Sequence, residues 1–151
     1  MKKSVPAIEV VPHKGVMSLL GRVLSHDARS TQCDVAIGDD TLFLKKDRVA
    51  AWIGLEYMAQ AVAAHAGMAA RKLGRRPEIG FWLGTRKADF YTPAYRKGQR
   101  LLVSARHVWG EGDLFSFDCQ IADAANGRRL AAAQINVFRP RLSEAFLKRN
   151  R

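Results

Sequence analysis

The sequence predicts an α+β fold, an antiparallel sheet wrapped around one long central helix. Residues 49–73 are rich in Ala, Leu and Met, and Glu56 is the one formal charge between Arg48 and Arg71. The segments around that run alternate apolar and polar residues with period two, as half-buried strands do. Short turns separate most of those segments, and strands joined by short turns pair antiparallel, because parallel pairing needs a crossover of about a dozen residues.

In chain order, residues 1–15 read as an extended lead-in with a turn over 12–15, followed by a short apolar helical turn over 16–20. Strands are expected over 22–27 and 31–37; in the second, Cys33, Val35 and Ile37 alternate with Gln32, Asp34 and Ala36. Residues 39–48 form a polar loop. The helix over 49–73 uses residues that lose little on becoming helical, with Gly74 to stop it and Pro77 beyond. At 1.5 Å per residue it is a rod of about 37 Å. A helix apolar on all sides is buried in a core or in a membrane. Glu56, Gln60, His65 and many alanines make a poor membrane span, so a core element is expected. Four strands in a meander follow, over 79–91, 100–109, 114–122 and 130–138, with turns over 93–98, 110–112 and at Asn126-Gly127, a strong hairpin signal. A sheet that buries one face and a helix that buries all of its faces satisfy each other in the hotdog fold.

The chain has 151 residues, 48% hydrophobic and 26% charged. That suits a single domain over 1–151, with a basic C-terminal tail over 140–151, and excludes a disordered chain. Two cysteines are too few for a disulfide framework and lack the clustered spacing of a zinc site. The N-terminus starts basic but has no apolar run or small-residue cleavage site, so a soluble, cytoplasmic protein is expected. The 25 Lys and Arg against 14 Asp and Glu leave +11, which calls for acidic company: nucleic acid, a membrane surface or an acidic protein.

Glu56 is the most informative residue. A carboxylate in an apolar helix is costly unless paired, so it should sit beside a cavity or hold a proton, as a general acid or base does. The alternative is structural: a hydrogen bond to backbone, or an arginine across a dimer interface. Gln60 lies one turn on and about 40° around, on the same face. His65 is half a turn away and reads as a core or interface histidine. His13 reads as fixing the turn at Pro12-His13-Lys14-Gly15, and His26 and His107 sit in or beside strands. Cys33 and Cys119 read as small buried hydrophobes. The sequence lacks a phosphate loop, a nucleophile elbow and metal-ligand spacing, so no cofactor and no metal is implied.

Pro12-His13 with Met17-Ser18-Leu19-Leu20-Gly21-Arg22-Val23-Leu24 resembles the N-terminal stretch of 3-hydroxyacyl-(acyl carrier protein) dehydratases of the FabA/FabZ type. Leu55-Glu56-Tyr57-Met58-Ala59-Gln60-Ala61 is similar to that family's helix signature. Phe81-Trp82-Leu83-Gly84, with Asp89-Phe90 and Pro93, resembles its strand and turn. The likeness spans roughly residues 8–139 and is closer still to ApeP-like dehydratases of aryl polyene pigment clusters. It implies a hotdog dimer, an acyl thioester on acyl carrier protein, and loss of water from a 3-hydroxyacyl chain to give a trans-2-enoyl product. It also implies that a histidine takes the α-proton, that Glu56 helps the 3-hydroxyl leave, and that a backbone N–H at Gly84 binds the thioester carbonyl. Catalytic roles thus fall on Glu56 and His13, and substrate-binding roles on Gln60 and Gly84.

The family's histidine lies in a Gly-His-Phe-Pro tract ahead of the helix; here that tract is Thr41-Leu42-Phe43-Leu44-Lys45-Lys46-Asp47-Arg48. Either His13 serves instead, or a related subunit in a heterodimer supplies the base. A homodimer, a hotdog thioesterase in which Glu56 activates water, and a non-catalytic dehydratase-like partner subunit are the other readings. Nucleic-acid binding is disfavoured, because the basic clusters have neither a binding module nor an aromatic stacking series. The clusters over 71–76 and 45–48 flank the helix, where an acidic carrier would dock and gain in encounter rate.

Overall fold

The alternating segments form strands. The computed structural model describes residues 4–12, 15–75 and 81–138. Its strands are β1 (Val5–Pro6), β2 (Arg22–His26), β3 (Ser30–Ala36), β4 (Arg48–Ala50), β5 (Phe81–Phe90), β6 (Ala94–Arg96), β7 (Arg100–Glu111), β8 (Leu114–Asp123) and β9 (Arg129–Phe138), and the helix α1 is Gly54–Lys72. His13, residues 79–80 of the expected strand and the basic tail over 140–151 lie outside the described residues.

Seven strands make one antiparallel sheet in the order β1-β2-β3-β7-β8-β9-β5, and β4 and β6 make a separate two-stranded ribbon. The four strands after the helix are therefore not one meander. β7, β8 and β9 are, but β5 pairs with β9 at the edge, because β3 takes the place beside β7 through a register running from Ser30↔Arg106 to Ala36↔Arg100. In that register Cys33 lies opposite Val103 and Val35 opposite Leu101. All four are buried and face α1, while Gln32 and Asp34 face away. This is the hotdog arrangement expected from the sequence.

Helix α1 has 19 residues, about 28 Å, and starts five residues later than its composition suggests. Val49 and Ala50 instead pair with Tyr95 and Ala94, and a 3-10 turn over Ala51–Ile53 leads into the helix. The Tyr95 hydroxyl donates to the Ala51 carbonyl at 3.0 Å, and Tyr95 is fully buried. That anchor holds the ribbon to the start of the helix. At the other end Gly74 adopts φ 66° and the Arg75 N–H donates to the Ala70 carbonyl at 2.8 Å, which satisfies a terminal carbonyl.

The helix packs chiefly on β3, β7, β8 and β9. Tyr57, Met58, Ala61, Val62 and Ala64 are buried in the core. Leu55, Glu56, Ala59, Ala63 and Ala66 are only half-buried, so the expectation of burial on all sides is corrected: one stripe of small residues carrying Glu56 is left partly open within the chain. Gly67 lets the 3-10 turn over Ala7–Glu9 approach. A Cβ there would land on the Val10 carbonyl oxygen, with the carbonyl carbon 2.7 Å away.

Candidate active site

Glu56 lies in the first turn of α1, where a carboxylate faces the positive end of the helix macrodipole. One turn on, Gln60 is completely buried and uses its amide in three directions. Its Oε1 accepts from the Leu19 N–H at 2.9 Å, and its Nε2 donates to the Met17 carbonyl at 2.8 Å and to Glu56 Oε1 at 3.2 Å. Both amide hydrogens are thus engaged. The helical spacing brought Gln60 and Glu56 together as expected. The role that the geometry gives Gln60 is different: it ties the 17–19 segment to the helix and holds one oxygen of Glu56. The sequence predicts a helical turn over 16–20; the 3-10 turn occupies only Gly15–Met17, and the Met17 carbonyl at its end and the Leu19 N–H beyond it meet Gln60.

Gly84 sits on β5, opposite Asn136 on β9, directly after an irregularity in the register between Trp82 and Gly84. Strand β5 is the end of the sheet, beyond β9. Among the described residues no strand pairs with its outer side, so ten residues of edge strand are open to another chain. A Cβ at Gly84 would meet nothing within 4 Å, and Gly84 does not have a positive φ. Among the described residues, neither packing nor backbone conformation requires a glycine there. On the face of the sheet away from α1, Gly84, Arg86, Trp109, Ser116, Gln134 and Asn136 border a shallow depression of about 500 Å³.

The buried histidine His65 is satisfied, as a core histidine should be. Its Nδ1 lies 2.8 Å from the Thr31 hydroxyl, and His26 Nδ1 approaches the same hydroxyl at 2.7 Å. A single hydroxyl has one proton, so it can donate to only one of the two rings while accepting from the other. The His65 and Phe117 rings meet edge to face, with centres 5.7 Å apart. His107 packs among Phe115 and Phe117. Cys33 and Cys119 are buried free thiols, and burial pushes the Cys33 thiol up to about 12 and the Cys119 thiol up as well. Neither is a thiolate nucleophile near neutral pH. Among the described residues no three His, Cys, Asp or Glu side chains gather as a metal ion would need. No described helix is long and apolar enough to cross a membrane.

Sequence reasoning missed two features near Glu56. The first is the β4–β6 ribbon, hidden because residues 93–98 carry the composition of a turn, residue 48 that of a loop and residues 49–50 that of a helix. The second is the buried pair Tyr57 and Tyr95, with ring centres 6.0 Å apart, which braces the start of α1. Burial pushes the Tyr57 hydroxyl up to about 12.

Comparison with known proteins adds a family and a fold. A family described as ApeP-like, ApeP dehydratase, matches residues 5–148. Among solved structures the chain is similar to the dehydratase heterocomplex ApeI:P from Xenorhabdus doucetiae, at 23% identity and a TM-score of 0.85, over 99% of this chain and 100% of that one. It is also similar to AziG of S. sahachiroi, at 23% identity and a TM-score of 0.58, over 82% of this chain and 92% of that one. A hypothetical thioesterase with coenzyme A from Streptococcus pneumoniae TIGR4 is similar at 14% identity and a TM-score of 0.60, over 78% of this chain and 83% of that one. Comparison with curated proteins finds no match.

Proposed function

Because the chain belongs to the ApeP-like dehydratase family, we propose that it removes water from 3-hydroxyacyl chains carried on acyl carrier protein, in aryl polyene biosynthesis, with Glu56 as the group that protonates the departing hydroxyl. In this step a base takes a proton from C2, and the C2–H electron pair becomes the C2=C3 bond. The C3–O bond breaks, and Glu56 gives its proton to the leaving oxygen, so that water and the trans-2-enoyl thioester result. As the C2–H bond breaks, the thioester carbonyl gains charge, and a backbone N–H at Gly84 stabilises it. Gln60 acts as a positioning residue, since its Nε2 holds Glu56 Oε1 at 3.2 Å and its remaining bonds fix it to the 17–19 segment.

The observation that carries this reading is where the two halves of the site lie. Glu56 is on the half-buried stripe of α1, whereas Gly84 is on the edge strand beyond β9, outside the strands on which the helix chiefly packs. A second subunit pairing along β5 would bring the carboxylate of one chain toward the glycine of the other, and the open space that the described residues leave around Gly84 fits a close approach by another chain.

The base is the remaining element. The tract before the helix holds Lys45, Lys46, Asp47 and Arg48 and no histidine. His13 is one candidate; the other is a histidine from a related dehydratase in a heterodimer. The similarity to a dehydratase heterocomplex supports the second. Two buried, unpaired thiols suit a reducing compartment, and we place the protein in the cytoplasm.

Product analysis tests the reading. The purified chain, alone and with a related dehydratase subunit, is incubated with a 3-hydroxyacyl carrier thioester. A carrier-bound trans-2-enoyl product is expected. Free acid with free carrier thiol would instead indicate a thioesterase, and no product in any combination would indicate a non-catalytic subunit.

A further inference from the structure

The tract that lacks the histidine is built into a charged ribbon. Lys45 and Arg48 exchange backbone hydrogen bonds, Lys45 N–H to the Arg48 carbonyl at 2.8 Å and Arg48 N–H to the Lys45 carbonyl at 3.1 Å. The two residues between them, Lys46 and Asp47, both adopt positive φ, 51° and 62°. That is a two-residue hairpin turn with neither of its usual Asn and Gly residues. Next along the ribbon, Arg48 is paired directly opposite Arg96. Like charges facing each other across an antiparallel pair oppose the fold.

The ribbon has an inner and an outer face. Val49 and Tyr95 pair inward and are buried. Arg48, Ala50, Ala94 and Arg96 pair on the outer face, next to the exposed Lys45 and Lys46. Two acids lie nearby and share one ammonium: Asp39 is ion-paired with Lys97, and Asp47 lies 4.0 Å from it, so at most one of the four cationic charges on this face is offset. Among the described residues no ion pair engages Lys45, Lys46, Arg48 or Arg96, whereas Arg71 at the far end of the helix is paired with Glu9 at 3.2 Å. Trp52, 65% exposed, follows the ribbon and leads into the turn of helix that carries Glu56.

We propose that the outer face of the β4–β6 ribbon, through Lys45, Lys46, Arg48 and Arg96, is the docking surface for the acidic carrier protein that delivers the thioester. This rests on the reading of the chain as a carrier-dependent dehydratase. It narrows the two basic clusters flanking the helix to one. The ribbon is tied to the start of α1 by the Tyr95–Ala51 hydrogen bond, so a carrier seated on it is held at the end of the helix whose first turn carries Glu56. The far cluster has Arg71 occupied by Glu9 and lies at the opposite end of the helix.

Binding of holo acyl carrier protein to the full chain, alone and with a related dehydratase subunit, is measured by biolayer interferometry at low and physiological salt. Lys45→Glu with Arg48→Glu and Arg96→Glu weakens binding about tenfold or more, mainly through the association rate, and flattens its salt dependence. Arg48→Gln with Arg96→Gln removes a repulsive pair, so it keeps the fold, and weakens binding about threefold. Arg71→Glu with Lys72→Glu changes it less than about twofold. Wild-type affinity in both ribbon variants, or equal weakening from the far cluster, overturns the proposal. So does binding of a labelled RNA oligomer through the ribbon with no carrier binding. Wild-type turnover of a 3-hydroxyacyl pantetheine thioester, which needs no carrier, tests the dehydratase reading separately.

Discussion

Replacing Gln60 by Leu tests whether its amide holds the site together. Leucine keeps most of the volume, so the cavity contribution is small and the loss is polar. Three hydrogen bonds go: from Leu19 N–H at 2.9 Å, to the Met17 carbonyl at 2.8 Å and to Glu56 Oε1 at 3.2 Å. Gln60 is fully buried, so the Leu19 N–H and the Met17 carbonyl each lose a partner with little water to replace it. At about 1–2 kcal/mol for each stranded group, the variant should lose about 2–4 kcal/mol. In a chain of this length that lowers Tm by roughly 6–12 °C. Urea and thermal unfolding followed by circular dichroism read the change. Dehydration kcat should also fall, by about tenfold, with KM changing less, because Glu56 loses the bond that orients it. Gln60→Glu keeps an acceptor for Leu19 but sets a second carboxylate beside Glu56, and should alter the pH profile of kcat rather than stability alone. If Gln60→Leu stays within about 0.5 kcal/mol of the wild type and keeps its kcat, the positioning argument is wrong.

Three further outcomes follow from the structure. Gly84→Ala should fold with wild-type stability, since its Cβ meets nothing within 4 Å, yet lower kcat at least about tenfold by crowding the thioester; paired unfolding and turnover measurements separate the two effects. Gly67→Ala should destabilise by about 1–3 kcal/mol in urea unfolding, despite the better helix propensity of alanine, because the new methyl strikes the Val10 carbonyl; a gain in stability would show that the contact yields. Burial raises the Cys33 thiol to about 12, above its unfolded value. Its contribution to stability is therefore complete below about pH 8.5 and is lost as the pH rises toward about 12, at up to about 1.4 kcal/mol per pH unit, so urea midpoints should fall over that range and Cys33→Ala should flatten the fall.

Much of the fold was legible because it rests on local pattern. The Ala-rich run, Gly74 at its end and the alternation around Cys33 and Cys119 each have a period or a cap that survives in any context. What was not legible depends on partners far along the chain. Val49 and Ala50 have helical company in sequence, but Tyr95 and Ala94 draw them into a strand. Strand β5 follows the helix and yet joins the sheet at β9, because β3 takes the place beside β7. At the site, Glu56 and Gln60 could be found together because a helix brings residues four apart onto one face. The partners of Gln60 in the 17–19 segment lie more than forty residues away, beyond the reach of any periodicity. Gly84 could be picked out only by resemblance, since a glycine in a strand has no periodic signature.

The proposed mechanism has Glu56 deliver the proton that lets the 3-hydroxyl leave. Its most direct test is turnover by Glu56→Gln, assayed with a 3-hydroxyacyl carrier thioester in whichever assembly, chain alone or chain with a related dehydratase subunit, shows wild-type activity. Glutamine keeps the size and can still meet the Gln60 amide, so circular dichroism and carrier binding should match the wild type. Formation of the trans-2-enoyl thioester should fall at least about a hundredfold. Undiminished enoyl formation by the folded variant would contradict the account.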